Sequence, residues 1–100
     1  MQISAFYGHL PVVRYLVEDA DVNPHRSVPI NGNAADLASI DGHEKVFCYL
    51  LRKGIRPVFP RLCGLRLAAL GKLKAIKILC KIYTFELIIK EDENDIYING

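Results

Sequence analysis

The sequence predicts an all-α fold of repeated helix-turn-helix units, and three observations carry that prediction. First, GHLPVVRYLV from Gly8, GHEKVFCYLL from Gly42 and GKLKAIKILC from Gly71 are near copies, with glycines 34 and 29 residues apart. Second, apolar residues follow each glycine at the same four offsets: Val12, Val13, Leu16 and Val17; Val46, Phe47, Leu50 and Leu51; Ala75, Ile76, Leu79 and Cys80. Those offsets gather on one stripe of a 3.6-residue period and scatter under a period of two. Third, proline-containing segments separate the copies. Half of the chain, 51%, is apolar, so a single match would mean little, but three in phase mean a repeat. One unit cannot bury its stripe alone, so the units must stack.

The elements follow in order. Ile3-Ser4-Ala5 begins the chain inside a short inner helix, and Gly8 turns it into the first outer helix. That helix runs to Leu16-Val17-Glu18-Asp19-Ala20 without a glycine after it, so an irregular junction is expected there. Asp21 to Gly32 holds two prolines and a glycine and forms an extended finger. Asn33-Ala34-Ala35-Asp36-Leu37-Ala38-Ser39 is the second inner helix, with Asn33 as N-cap and Asp36 near its positive end. Its small residues make it thin, so neighbours can approach closely. After Gly42 comes the second outer helix, closed by Gly54. Arg56 to Arg61 is a shorter finger with two prolines. Cys63 to Ala69 is the third inner helix, in which Cys63 would be a poor cap. The third unit has lost about three finger residues and one turn residue relative to the second, which leaves open whether its hairpin forms.

These residues resemble the ankyrin repeat, a family with a period of about 33 residues. ADVN at Ala20–Asn23, NGNAADLAS at Asn31–Ser39, GHEKVFCYLL at Gly42–Leu51 and KGIRP at Lys53–Pro57 follow the family's loop, inner helix and outer helix in order. The Thr-Pro-Leu-His start of the family's inner helix is absent from every unit. The resemblance implies an ankyrin-type solenoid of stacked helix-turn-helix units with short finger loops, over residues 1–83. Its units are approximately 1–23, 24–56 and 57–83. Residues 84–100 read as an extended last helix and acidic tail, as a strand pair turning at Glu91–Asn94, or as the start of a further repeat. The last reading rests on Ile98-Asn99-Gly100, which echoes Ile30-Asn31-Gly32.

Chemistry-bearing patterns are few. The start lacks a secretory signal, and no stretch approaches the roughly 18 apolar residues of a membrane span. Three cysteines without paired spacing argue against a disulfide framework and fit an intracellular, cytoplasmic setting. Cys80 shares the repeat position of Val17 and Leu51 and is expected to be buried; Cys48 shares that of Arg14 and is expected at the surface. His9 and His43 occupy identical repeat positions, which favours a structural role at the helix junction. His25 reads as a solvated finger residue. No cofactor, zinc spacing, phosphate loop or nucleophile–base pair is indicated, and the chain is not expected to be an enzyme.

Charge is unevenly placed. Residues 1–44 carry two arginines and six acids, net −4; residues 45–85 carry ten Lys or Arg and no acid, net +10; residues 86–100 are again net −4. A solvated basic face is the plain reading. The sharper one is a surface for an acidic, phosphorylated or nucleic-acid partner centred on Lys72, Lys74, Lys77 and Lys81, with nucleic acid the weaker choice because aromatic interleaving is lacking.

The reading is therefore a non-catalytic protein-interaction module, a monomer or part of a longer array. A non-functional remnant of a larger gene is a third possibility, suggested by the eroded third unit. The resemblance implies partner contact on the concave face, through finger tips and the exposed ends of the inner helices. Mapped onto this sequence, those positions are Arg26, Ser27 and Val28 on the finger, with Phe6, Tyr7, Ile40, Asp41 and Leu70 before the outer helices. Phe6 and Tyr7 would be the anchors, since rigid aromatics dominate interface hot spots.

Overall fold

The computed structural model describes residues 1–20, 22–23, 25–27 and 31–83. Helix is its regular structure: α1 Gln2–Phe6, α2 Leu10–Glu18, α3 Ala34–Ile40, α4 Glu44–Arg52 and α5 Pro60–Ala69, with a further helix, α6, over described residues 73–83. No β-strand occurs among the described residues. The expectations for Val28 and for residues 84–100 concern positions outside them.

The repeated glycines build one turn three times. In each, the glycine amide donates to the carbonyl three residues back: Gly8 to Ala5, Gly42 to Ser39 and Gly71 to Ala68, at 3.2, 3.2 and 3.1 Å. The next amide reaches five residues back: His9 to Ser4, His43 to Ala38 and Lys72 to Leu67, each at 2.9 Å. The glycines sit at φ 74°, 70° and 69°, a left-handed conformation that a Cβ would strain. The third turn therefore lacks nothing. The expected loss of a turn residue is corrected: the shorter spacing falls in the finger, with 7 residues between α4 and α5 against 15 between α2 and α3.

Capping follows composition. Asn33 caps α3, its Oδ1 accepting the Ala35 amide at 2.9 Å, while the Asp36 carboxylate returns to the Asn33 amide at 2.9 Å. Gly54, at φ 86°, ends α4 and lets the Ile55 amide reach the Leu50 carbonyl at 3.0 Å. Past α2, Asp19 stays right-handed at φ −110°, and the Asp19 and Ala20 amides share the Tyr15 carbonyl. That is the irregular junction expected where the glycine is missing.

The inner helices pack in sequence, α1 on α3 and α3 on α5, and α2 packs on α4. Small residues permit this: Ala5, Ala34, Ala35, Ala38 and Ser39 are all buried. In α4 all four stripe residues are buried, Val46, Phe47, Leu50 and Leu51. The flanking outer helices bury less. In α2, Val13 is buried, Leu16 and Val17 are half-buried and Val12 is 46% exposed. In α6, Ala75 and Leu79 are buried and Ile76 is half-buried. Leu79 lies against Gly64 of α5, so the third hairpin is closed.

Two cysteine expectations are reversed. Cys80 is exposed and Cys48 is buried at 5% exposure. The reason is position in the stack. The leading edge of a stripe meets the preceding hairpin and the trailing edge the following one. Leu51 at the trailing edge of α4 has a hairpin after it, whereas Cys80 has none among the described residues. Cys48 shares a pocket lining with residues of both other outer helices, Arg14 of α2 and Lys74 of α6.

Candidate interaction surface

The residues that end the inner helices are placed alike. Tyr7, Asp41 and Leu70 take nearly the same conformation, φ −91°, −102° and −96° with ψ 2°, 13° and 1°. All three are exposed, Tyr7 at 61% and Leu70 at 47%. Successive turns also touch. A side chain at Gly8 would run into the His43 ring, and one at Gly42 into Leu70 and Lys72. Tyr7, Asp41 and Leu70 therefore form one row along adjoining turns.

Phe6 and Ile40 precede the first two members of the row and are half-buried. Phe6 meets Tyr7 edge to face, with ring centroids 5.0 Å apart, and Tyr7 lies 6.3 Å from the His9 ring. Aromatic contacts of this kind hold Tyr7 in place while leaving most of its surface free. His9 and His43 stand at the N-cap positions of α2 and α4 and are anchored there by their backbone amides.

On the finger, Arg26 and Ser27 are exposed. The Gln2 side chain donates to the Arg26 carbonyl at 2.9 Å, which ties this part of the finger to the start of α1. Tyr7 stands at the opposite end of α1, roughly 7 Å away at 1.5 Å per residue. The His25 amide donates to Asn23 Oδ1 at 3.0 Å and fixes the local bend.

Of the four lysines singled out by charge, Lys74, Lys77 and Lys81 are exposed on α6. Lys72 is half-buried and lies beside the Gly42 turn.

Sequence reasoning missed the polar links between hairpins. Asp36 is fully buried, and besides capping α3 it accepts the Val58 and Phe59 amides, each at 2.8 Å, just before α5. The Asn33 side chain donates to the Arg56 carbonyl at 2.6 Å. Glu44 on α4 accepts the Ala75 amide in the first turn of α6 at 3.0 Å. Each helix of the third hairpin thus has its positive end met by an acid of the second. Between outer helices, Tyr49 donates to Glu18 at 2.9 Å and Lys53 pairs with Glu18 at 3.3 Å. Those bonds, Tyr49 first, hold the Glu18 carboxyl below its ordinary value; burial and the same bond push the Tyr49 phenol up. Burial also raises the Cys48 thiol, with nearby Glu44 adding to it.

Among the described residues, no group of three or more His, Cys, Asp or Glu could hold a metal ion. No helix of the described residues is long and apolar enough to cross a membrane.

Comparison with known families agrees with the repeated turn. Residues 1–26 match the family model of the ankyrin repeat. The match spans the first hairpin and the start of its finger, about a quarter of the chain, rather than the second unit where the motif resemblance is fullest. No curated protein and no solved structure matches the chain. The second and third hairpins repeat the turn hydrogen bonds of the matched segment. Ankyrin repeats are generally modules of protein–protein interaction, and the family is typically non-enzymatic.

Proposed function

We propose that this chain is a non-catalytic protein-interaction module, an ankyrin-type solenoid over residues 1–83 that holds its partner on a concave face. The units are approximately 1–23, 24–56 and 57–83. The contact surface runs from Arg26 and Ser27 on the finger to the row of Tyr7, Asp41 and Leu70, with Phe6 and Ile40 beside it. The observation that carries this reading is the row itself: equivalent residues of adjoining turns, exposed and of differing chemistry. Tyr7 is its anchor, a rigid aromatic that loses little side-chain freedom on binding. The setting is intracellular and cytoplasmic, and the module acts as a monomer or as part of a longer array.

Affinity capture from a cell extract tests this, with the parent chain compared to Tyr7→Ala and to joint charge reversal of Lys72, Lys74 and Lys77. A contact built on apolar burial survives moderate salt, whereas a charge-based one weakens as the Debye length falls from about 10 Å at 0.1 M to about 3 Å at 1 M. A partner lost with Tyr7→Ala, retained at higher salt and retained after charge reversal supports the row. A partner indifferent to Tyr7→Ala and lost on charge reversal sinks it.

A further inference from the structure

The outer helices carry a groove separate from the turn row. It is a depression of about 340 Å³ lined from α2, α4 and α6. Arg14, Lys45, Arg52 and Lys74 stand around it, and all four are exposed. Cys48 is also among its lining residues and is buried. The acid of the lining, Glu44, is engaged by the Ala75 amide at 3.0 Å. Among the described residues the ion pair is Lys53 with Glu18; the lining sets four cations against the single carboxylate of Glu44, and Glu18 is near enough to act on Arg14 without pairing with it. Like charges gathered around one concavity concentrate positive potential and raise the local concentration of anions.

We propose that this groove binds an acidic peptide segment of a partner protein. Spacing favours a peptide over a single anion. Lys45 and Arg52 are two helical turns apart on α4, roughly 10 Å at 1.5 Å per residue. An extended chain advances about 3.3 Å per residue, so carboxylates within three or four residues meet both. Arg14 and Lys74 close on the segment from the neighbouring helices. Single-stranded nucleic acid fits less well. The aromatic of the lining, Tyr49, already has the Arg14 guanidinium 5.6 Å and the Lys53 ammonium 5.7 Å from its ring centroid. Its hydroxyl is committed to Glu18. A base would have to displace these groups in order to stack. The groove also recruits Arg14 from the acidic segment 1–44, which a count of charge along the sequence does not reveal.

Fluorescence anisotropy on the intact chain tests this, with fluorescein-labelled hexaglutamate as the probe and labelled hexaglutamine and hexathymidylate beside it. The expected result is binding of hexaglutamate at low salt that fades as salt screens it, and no binding of hexaglutamine. Joint replacement Arg52→Gln and Lys74→Gln weakens hexaglutamate by about tenfold or more, since groove contacts are lost and not merely net charge. Lys77→Gln with Lys81→Gln removes the same charge outside the groove and weakens it by less than about threefold. Lys45→Gln alone weakens it in the groove direction and serves if the double variant fails to fold. Tyr7→Ala leaves it unchanged, so this outcome and that of the turn row are separable. Equal loss in both lysine-containing pairs, no binding of hexaglutamate, or tighter binding of hexathymidylate would overturn the proposal.

Discussion

Asp36 spans two hairpins with one carboxylate. It is fully buried and accepts three backbone amides: Asn33 at 2.9 Å, Val58 at 2.8 Å and Phe59 at 2.8 Å. Removing it strands those donors, at about 1–3 kcal/mol for each buried group left unsatisfied. Asp36→Ala is therefore expected to lower the unfolding free energy by roughly 3 kcal/mol or more, read from urea titration, and Asp36→Asn by less because one oxygen survives. Cys63 beside it gives a second prediction. Burial pushes the Cys63 thiol up to about 12, against a lowering by Ser39, and the Asp36 carboxylate 3.5 Å away adds to the rise. The unfolded chain releases that proton near 9.0 and the folded one near 12, so unfolding releases a proton between those values. Below pH 9 the group has no effect on the pH dependence. Above it, stability falls with a slope of at most about 1.4 kcal/mol per pH unit from this thiol. Urea titrations at pH 8 and pH 10 should show a steeper loss in the parent than in Cys63→Ala; parallel losses would refute the assignment. Residue identity made the α3 cap legible in Asn33 and Asp36. The bonds from Asp36 to Val58 and Phe59 were not legible, because backbone amides more than twenty residues away leave no mark in side-chain pattern.

Among the helices, the same stripe is worth different amounts according to its neighbours. Leu50 is fully buried in α4, which has an outer helix on either side. Leu50→Ala should cost about 2–5 kcal/mol, the range for a buried leucine. Leu16, its equivalent in α2, is half-buried, so Leu16→Ala should cost less, with both read by thermal melting. Equal shifts would contradict the placement of α4 in the interior of the stack. Phase and helix existence were readable because glycine and the apolar offsets act locally, within a turn or two of chain. Flanking was not. Repeat position alone made Cys80 the equal of Leu51, and only the stack tells which copy has a neighbour to cover it. The third hairpin looked eroded for the same reason. Its own sequence lacks caps, and the missing acids are supplied by the second.

At the scale of the whole molecule, the uneven charge acquires a structural meaning. The segment 45–85 contains no acid, yet the helices α5 and α6 within it have their positive ends met by Asp36 and Glu44 of the acidic segment. Part of what reads in sequence as a binding polarity is the means by which one hairpin closes the next. The surplus cations remain for the proposed groove, and the turn row for the proposed partner contact. Both surfaces depend on the hairpins holding a common register, which the three matching turns supply and the crossing carboxylates maintain. Hydrogen exchange followed by NMR on the intact chain tests that register most directly, at the amides of Val58, Phe59 and Ala75. Bonded to Asp36 and Glu44, these amides should exchange about a hundredfold or more slower than in an unstructured chain, and Asp36→Ala should release the first two ahead of the third. Exchange of all three at unstructured rates, while amides within α3 stay protected, would contradict the stack.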